Sequence, residues 1–303
     1  MDFEVIGINS IATCCSDHAQ DPTSPLGKIL RVDVDEPGFV GGSALRYGIP
    51  ASNPFLDKTP WRQEVFAYEC RNMWRCSQDT VAYRNGERRI FCGDPGARAY
   101  EEIDVIRSGR NYGWNIKEGN ECFDSSKCSK GTIENEVLLI YVYNHTNLFN
   151  AVVGGYVYRG KKLPDLYGRY LYGDAMTGVM SALTEDSDGW TSSPLPVCDR
   201  KNYPCGARAR PRNFILTFGQ DEQGEIPRVK LTFCVSSGEM YLLTTSSITA
   251  FKDDGVALKI VSSLGEKAVT CGCGGRGEST VMVVMLMMSV LTWFGSWSVE
   301  DVD

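Results

Sequence analysis

Short runs rich in Val, Ile, Tyr and Phe recur along the chain: KILRVDVD, EVFAYEC, RRIFCGD, EEIDVI, EVLLIYVY, VVGGYVYRG, GRYLYGD, GVMSALTED, NFILTFGQD, MYLLTTS and GVALKIV. Most end at Gly, Asp or Asn, and before the C-terminal region none keeps a helical apolar period for more than a turn or two. The pattern therefore predicts strands joined by turns and an all-β fold. Such an array fits a sandwich, a barrel or a propeller. The stretch GRYLYGDAMTGVMSALTED favours the propeller, because two strands meet at a Gly-Asp…Thr-Gly turn and aromatics mark the first of them. About eleven such strands fill fewer than three blades of four, short of the roughly four blades that close a ring. The expectation is a partial β-propeller whose open edges another segment covers.

Three stretches break the pattern. Reading FGQDEQGE and then MYLLTTSS gives an ordinary turn and strand, so residues 226–239, IPRVKLTFCVSSGE, read as an insert carrying Cys234. The start, MDFEVIGINS, is acidic and lacks the basic, apolar, small-residue order of a signal peptide, which predicts a true amino terminus elsewhere. Near the end, VMVVMLMMSVLTWFGSW runs uncharged from Val281 to Trp297, at the lower limit for a membrane helix. Small residues from Gly272 to Gly275 and a polar spacer precede it, as in a lipid-anchor signal. The acidic ending from Glu300 to Asp303 suits neither reading. Membrane attachment and an aberrant tail both stay open. The organisation expected is an atypical segment over 1–24, a propeller region over 25–263, a small and polar linker over 264–280 and the apolar tail over 281–297.

A net charge of −7 argues against a nucleic-acid surface, and the one dense basic run is Arg208, Arg210 and Arg212. The chain has 12 cysteines, several in local pairs: Cys76 with Cys92, Cys122 with Cys128, and Cys198 with Cys205. Such pairs suit loops stapled by disulfides in an oxidising compartment. Zinc is the competing use of clustered thiolates, but no CxxC occurs and the histidines are limited to His18 and His145. The sequon Asn144-His145-Thr146 is a candidate glycosylation site of a secreted surface loop.

No phosphate loop, zinc-protease helix or GxSxG elbow is present. Glu101 and Glu102 are adjacent, and strand neighbours point to opposite faces, so they make a poor acid/base couple. The informative positions run from Arg71 to Trp114. Arg71 and Asn72 follow a strand, and FCGDPG places carbonyl-bearing turn residues where a hard cation can bind. An arginine, an amide and such a turn at successive strand ends suit an anionic cofactor with calcium, or serve only as turn punctuation.

The order PLGKILRVDVD, IPASNPF, EVFAYECRNMWRC, IFCGDPG, YEEIDVI, NYGW, EGNECFD, GGYVYRG, LYGRYLYGD and GQDEQGE resembles the glucose/sorbosone dehydrogenase-type six-bladed propeller. Within that group it is similar to the hedgehog-interacting protein-like proteins of animals, over Pro25 to Ser263 and the later blades only. The resemblance implies that NYGW closes a blade, with Tyr112 and Trp114 structural. From the quinoprotein sugar dehydrogenases it implies pyrroloquinoline quinone beside Arg71 and Asn72. Calcium would sit at Gly93, Asp94 and Pro95, and Arg159 and Arg212 would be further cofactor contacts. The catalytic base of those enzymes is a histidine of an early blade. Neither His18 nor His145 stands in that context, so a base is expected upstream of these residues and the chain as it stands is expected to be non-catalytic. The hedgehog-interacting side implies extracellular binding of a protein ligand, of hedgehog type, through an acidic loop near Asp17 and Asp21. Cys70 and Lys161 stand where relatives usually carry Gly and Cys.

Overall fold

The computed structural model describes residues 3–8, 17–35, 38–40, 43–45, 47–137, 139–145, 150–161, 163–195, 214–220, 240–245, 256–259 and 271–272. The expected insert at 226–239, the tail at 281–297, Cys198, Cys205 and Arg212 lie outside the described residues. Among the described residues no helix is long and apolar enough to cross a membrane.

Strands β1 (Phe3–Ile8), β2 (Lys28–Asp33) and, after a small hairpin of β3 (Gly38–Val40) and β4 (Ser43–Leu45), β5 (Val65–Tyr68) form a three-stranded sheet in the order β1-β2-β5. The second sheet takes β6 (Arg75–Gln78), β7 (Ile90–Asp94) and β8 (Tyr100–Ile106). After the β9 (Lys117–Glu118) and β10 (Glu121–Cys122) hairpin and the short helix α1 (Ser125–Cys128), β11 (Tyr141–Asn144) completes it in the order β11-β8-β7-β6. β12 (Val152–Val157), β13 (Tyr170–Asp174), β14 (Met180–Asp186) and β15 (Gly189–Pro194) make a third sheet in simple sequence order. β16 (Phe214–Gln220), β17 (Met240–Thr245), β18 (Val256–Lys259) and β19 (Cys271–Gly272) make a fourth. All four sheets are antiparallel meanders, the blade pattern of a propeller, so the described part supplies four blades where the strand count predicted fewer than three. In the fourth, Gln220 lies opposite Met240, so β16 and β17 are direct neighbours across residues 221–239.

Successive side chains on a strand point to opposite faces, and each blade uses this to pack on both neighbours. Phe91, Ile103 and Val105 face the third sheet and cluster with Val152, Val157, Tyr170, Tyr172 and Leu183. From the reverse face Cys92 and Ile106 pack with Ile29, Ala67, Cys70, Met73 and Tyr112. The third sheet meets the fourth through Val153, Leu171, Met180, Ile215 and Phe218. The strands β6, β7 and β12 also approach backbone to backbone. Gly154 has φ +95°, and a Cβ there would come within 2.6 Å of the Arg75 carbonyl oxygen. Such a conformation and such an approach both require glycine. Beside it the Ser77 hydroxyl donates to the Gly155 carbonyl at 2.6 Å, tying one blade to the next.

Two disulfides join Cys76 to Cys92 and Cys122 to Cys128, as the spacing predicted. The first links residues directly opposite in the β6–β7 ladder. Cross-links of this kind remove chain entropy from the unfolded state, about 3 kcal/mol for a loop near 16 residues, and they persist in oxidising compartments.

Candidate functional site

The chain between β5 and β6 runs through Glu69, Cys70, Arg71 and Asn72, all buried, beside the β7–β8 turn. The two oxygens of the Asp94 carboxylate accept adjacent N–H groups of this connection: the Arg71 N–H donates to Oδ2 at 2.9 Å and the Asn72 N–H to Oδ1 at 2.5 Å. Arg71 returns the contact, its Nη1 donating to the Pro95 carbonyl at 2.5 Å, and its guanidinium lies 5.3 Å from the Trp114 ring centroid. Trp114 packs in turn on Phe123, which lies under the Arg98 guanidinium. Arg71, Asn72, Gly93, Asp94 and Pro95, distant in sequence, thus meet at one end of β6 and β7.

The loop after Pro95 is wound around one carboxylate oxygen. Glu118 Oε1 accepts the N–H groups of Ala97, Arg98, Ala99 and Tyr100 at 2.6, 2.7, 3.1 and 3.4 Å. A side chain at Gly96 would overlap the Tyr100 carbonyl and the same Glu118 oxygen. Tyr112 is structural, as expected: its hydroxyl donates to the Val105 carbonyl at 2.8 Å and accepts the Arg107 N–H at 2.9 Å. Trp114 does more than close a blade, since it carries the Arg71 guanidinium.

Arg159 is placed elsewhere. It follows β12 and forms a two-pronged pair with Asp79, Nε to Oδ1 at 2.9 Å and Nη2 to Oδ2 at 2.6 Å. Asp79 follows β6 whereas Arg71 precedes it, so Arg159 stands at the opposite end of that strand, about 13 Å along it. The cause is the buried Asp79 carboxylate, which needs a cation at that end. Arg71 is only 6% exposed and Asn72 2%, and the Gly93 carbonyl already accepts the Trp74 N–H at 2.9 Å. An anionic quinone would need the guanidinium turned outward, so these residues as folded do not fit an open quinone cradle.

Glu101 and Glu102 do diverge, as strand alternation demands. Glu101 accepts from His145 at 2.5 Å and from the Val152 N–H at 2.7 Å, and burial pushes its carboxyl up to about 7. Glu102 faces the other way, toward Asp94 and Asp104, where its Oε1 accepts the Gly119 N–H at 2.5 Å. Burial raises all three carboxyls, for Glu102 and Asp104 well above the ordinary range. This triad was not anticipated. Its signal was the alternate spacing of Glu102 and Asp104 together with an acid at the end of the preceding strand. Lys28 was also missed: fully buried in β2, its Nζ donates to the carbonyls of His18, Ala19 and Leu26 at 2.8, 2.7 and 3.1 Å. Asp21 closes its own turn onto Thr23, while Asp17 reaches the rim of the site through Lys127 at 2.5 Å.

Burial pushes the Glu69 carboxyl up to about 7 from 4.5. Its folded-state pKa is raised, so its stabilising contribution is whole below pH 4.5 and is lost as pH rises through about 7. Glu69→Gln is therefore expected to match the parent at pH 4 and to exceed it by about 2 kcal/mol at pH 8 in paired urea melts. Equal stability at both values would show that Glu69 ionises without cost.

A family profile described as Glucose / Sorbosone dehydrogenase matches residues 6–192, more than half of the chain. The chain belongs to the glucose/sorbosone dehydrogenase family. Among its relatives is a HIPL2 protein of Arabidopsis thaliana, 35% identical over 234 residues, covering 69% of this chain and 33% of that protein. Another is the hedgehog-interacting protein of Mus musculus, 29% identical over 242 residues, covering 78% of this chain and 28% of that protein. The hedgehog-interacting protein-like branch to which this glucose/sorbosone dehydrogenase-type chain is related thus includes plant as well as animal members. The chain spans a minority of the length of these relatives. The soluble aldose sugar dehydrogenase of Escherichia coli in its apo form superposes with a TM-score of 0.57 at 19% identity, over 85% of this chain and 60% of the enzyme. That likeness extends to the fold.

Proposed function

We propose that the chain is an extracellular binding module of the hedgehog-interacting protein-like type, acting without catalysis on a protein ligand. The observation that carries this reading is the state of Arg71 and Asn72. Both are buried and bonded into the Asp94–Pro95 turn, so they build the loop face and do not present themselves to a cofactor. The relatives at 35% and 29% identity point the same way, since the latter is named for its interaction with hedgehog. The disulfides fit a secreted or cell-surface protein, and exposed Asn144, at the end of β11, is the residue to carry a glycan. The ligand is of hedgehog type, met by the rim that carries Asp17.

A second reading, a quinone- and calcium-dependent aldose dehydrogenase, draws on the family match and on the meeting of Arg71 and Asn72 with the Gly93–Pro95 turn. It would need a base, and His145 is occupied by Glu101. The two readings separate in one experiment. The chain, made through a secretory host, is passed over an immobilised hedgehog-type signalling domain, then assayed for dye reduction with aldoses, pyrroloquinoline quinone and calcium. Saturable capture without dye reduction is expected. Aldose-dependent reduction abolished by Arg71→Ala would overturn the binding reading in favour of the enzyme.

A further inference from the structure

We infer that Lys28 is a positioning residue for ligand binding: its ammonium closes the 18–26 loop and thereby fixes the face that Asp17 and His18 present to a protein partner. The inference rests on the binding reading above and adds to it a residue that itself touches no ligand.

The loop is built around one nitrogen. Lys28 Nζ donates to the carbonyls of His18 and Ala19, where the chain enters the loop, at 2.8 and 2.7 Å. It donates to the Leu26 carbonyl, where the chain leaves, at 3.1 Å. Entry and exit also touch, since a Cβ at Gly27 would come within 2.6 Å of the Ala19 Cβ. A compact surface loop whose ends meet is the Ω form. An ammonium has three N–H groups and no acceptor, so three carbonyls use it completely. Inside the loop the bonds are local: the Asp21 N–H donates to the His18 carbonyl and the Ser24 N–H to that of Asp21, both at 3.2 Å. Those turns do not span the loop, whereas the ammonium does.

Lys28 has no exposed surface, and β2 holds it in register opposite Tyr68. The Gly27 carbonyl accepts the Cys70 N–H at 3.1 Å, so the neck of the loop is tied to the segment that leads to Arg71. The outer side differs in character. His18 is exposed, and the Asp17 side chain is 85% exposed with one oxygen held by Lys127 at 2.5 Å. A loop fixed in advance loses less freedom when a partner binds it. The titratable groups around the ammonium are Asp21 and His18 of the loop, and Tyr68, Glu69 and Cys70 at the end of β5 and just beyond it. Burial lowers Lys28 to about 8. A neutral amine keeps two N–H groups and turns a lone pair on the third carbonyl, so the neck loosens as pH rises through that value.

The test compares the unaltered 303-residue chain with Lys28→Met, which keeps an unbranched side chain and donates nothing. Hydrogen–deuterium exchange over residues 17–26 reads the loop, and capture on an immobilised hedgehog-type signalling domain reads the ligand face. In the variant, loop amides are expected to exchange about tenfold faster and capture to weaken about tenfold. The unaltered chain is expected to lose capture as pH rises through about 8, and the variant to show a flat profile there. A folded-state value of about 8 against 10.5 unfolded makes the fold more stable over that interval, so general unfolding would run the other way. Should Lys28→Met not fold, the pH profile of the unaltered chain decides. Capture of the variant as tight as that of the parent, unchanged loop exchange, or a flat profile in the unaltered chain would overturn the assignment. No capture of the unaltered chain at any pH would overturn the binding reading, and loop exchange alone would then decide whether Lys28 closes the loop.

Discussion

Glu118→Ala is expected to destabilise the chain by about 3–5 kcal/mol, a fall in melting temperature on the order of 10 °C. One oxygen of this buried carboxylate receives four backbone N–H groups from the 97–100 segment. Charge-assisted bonds of this kind are stronger than neutral ones, and removing the acceptor strands the donors in a buried turn. Glu118→Gln keeps an oxygen but loses the charge, so about half of the loss should return. The variant is also expected to loosen Pro95, whose carbonyl holds Arg71, and so to weaken ligand capture beyond what stability explains. A loss under about 1 kcal/mol in urea melts would mean that water replaces the carboxylate and that the loop is open.

Phe91→Ala is expected to cost about 3–5 kcal/mol through a different cause, the cavity it leaves between two blades. Phe91 has no exposed surface. Its ring stacks on Tyr170 with centroids 4.8 Å apart and meets Trp190 edge-on at 5.8 Å. The Arg89 guanidinium covers the same group, 5.1 Å from the Phe91 centroid and 4.0 Å from that of Tyr83, so water cannot readily enter from the side. Phe91→Leu, which refills most of the volume, should cost no more than about 1.5 kcal/mol. Equilibrium unfolding of the pair decides: equal losses would indicate that aromatic stacking, and not volume, holds the blades together.

The fold class was legible because core strands such as YLYGD and MSALTED carry their own signature, apolar residues bounded by glycine and acid. The blade count was not, because several strands have no such signature. β6 is RCSQ and β15 is GWTSSP, one crossed by the neighbouring blade's backbone and the other an outer edge, so neither needs an apolar pattern. The disulfides were legible from spacing, since a pair opposite in a hairpin leaves a regular interval. The meeting of Arg71 with Asp94 was legible only through resemblance. The misplacement of Arg159 follows from Asp79, an acid in SQDT that gave no sign of being buried. The triad stayed hidden because strand alternation was applied to Glu101 and Glu102 as a pair and not continued to Asp104, and because the cross-strand partner of Glu102 depends on register.

The second blade has one face of acids and one of aromatics, and each face carries its own indole. Trp114 lies by Arg71 and Phe123 on the acidic side, whereas Trp190 lies by Phe91 and Arg89 on the aromatic side. In variants that keep Trp114 or Trp190 as the single tryptophan of the six, the fluorescence of the first should report changes at the loop face, and that of the second how tightly two blades are pressed together. A single strand pair separates the two positions, so such a pair of variants would gauge the polar end and the apolar seam independently.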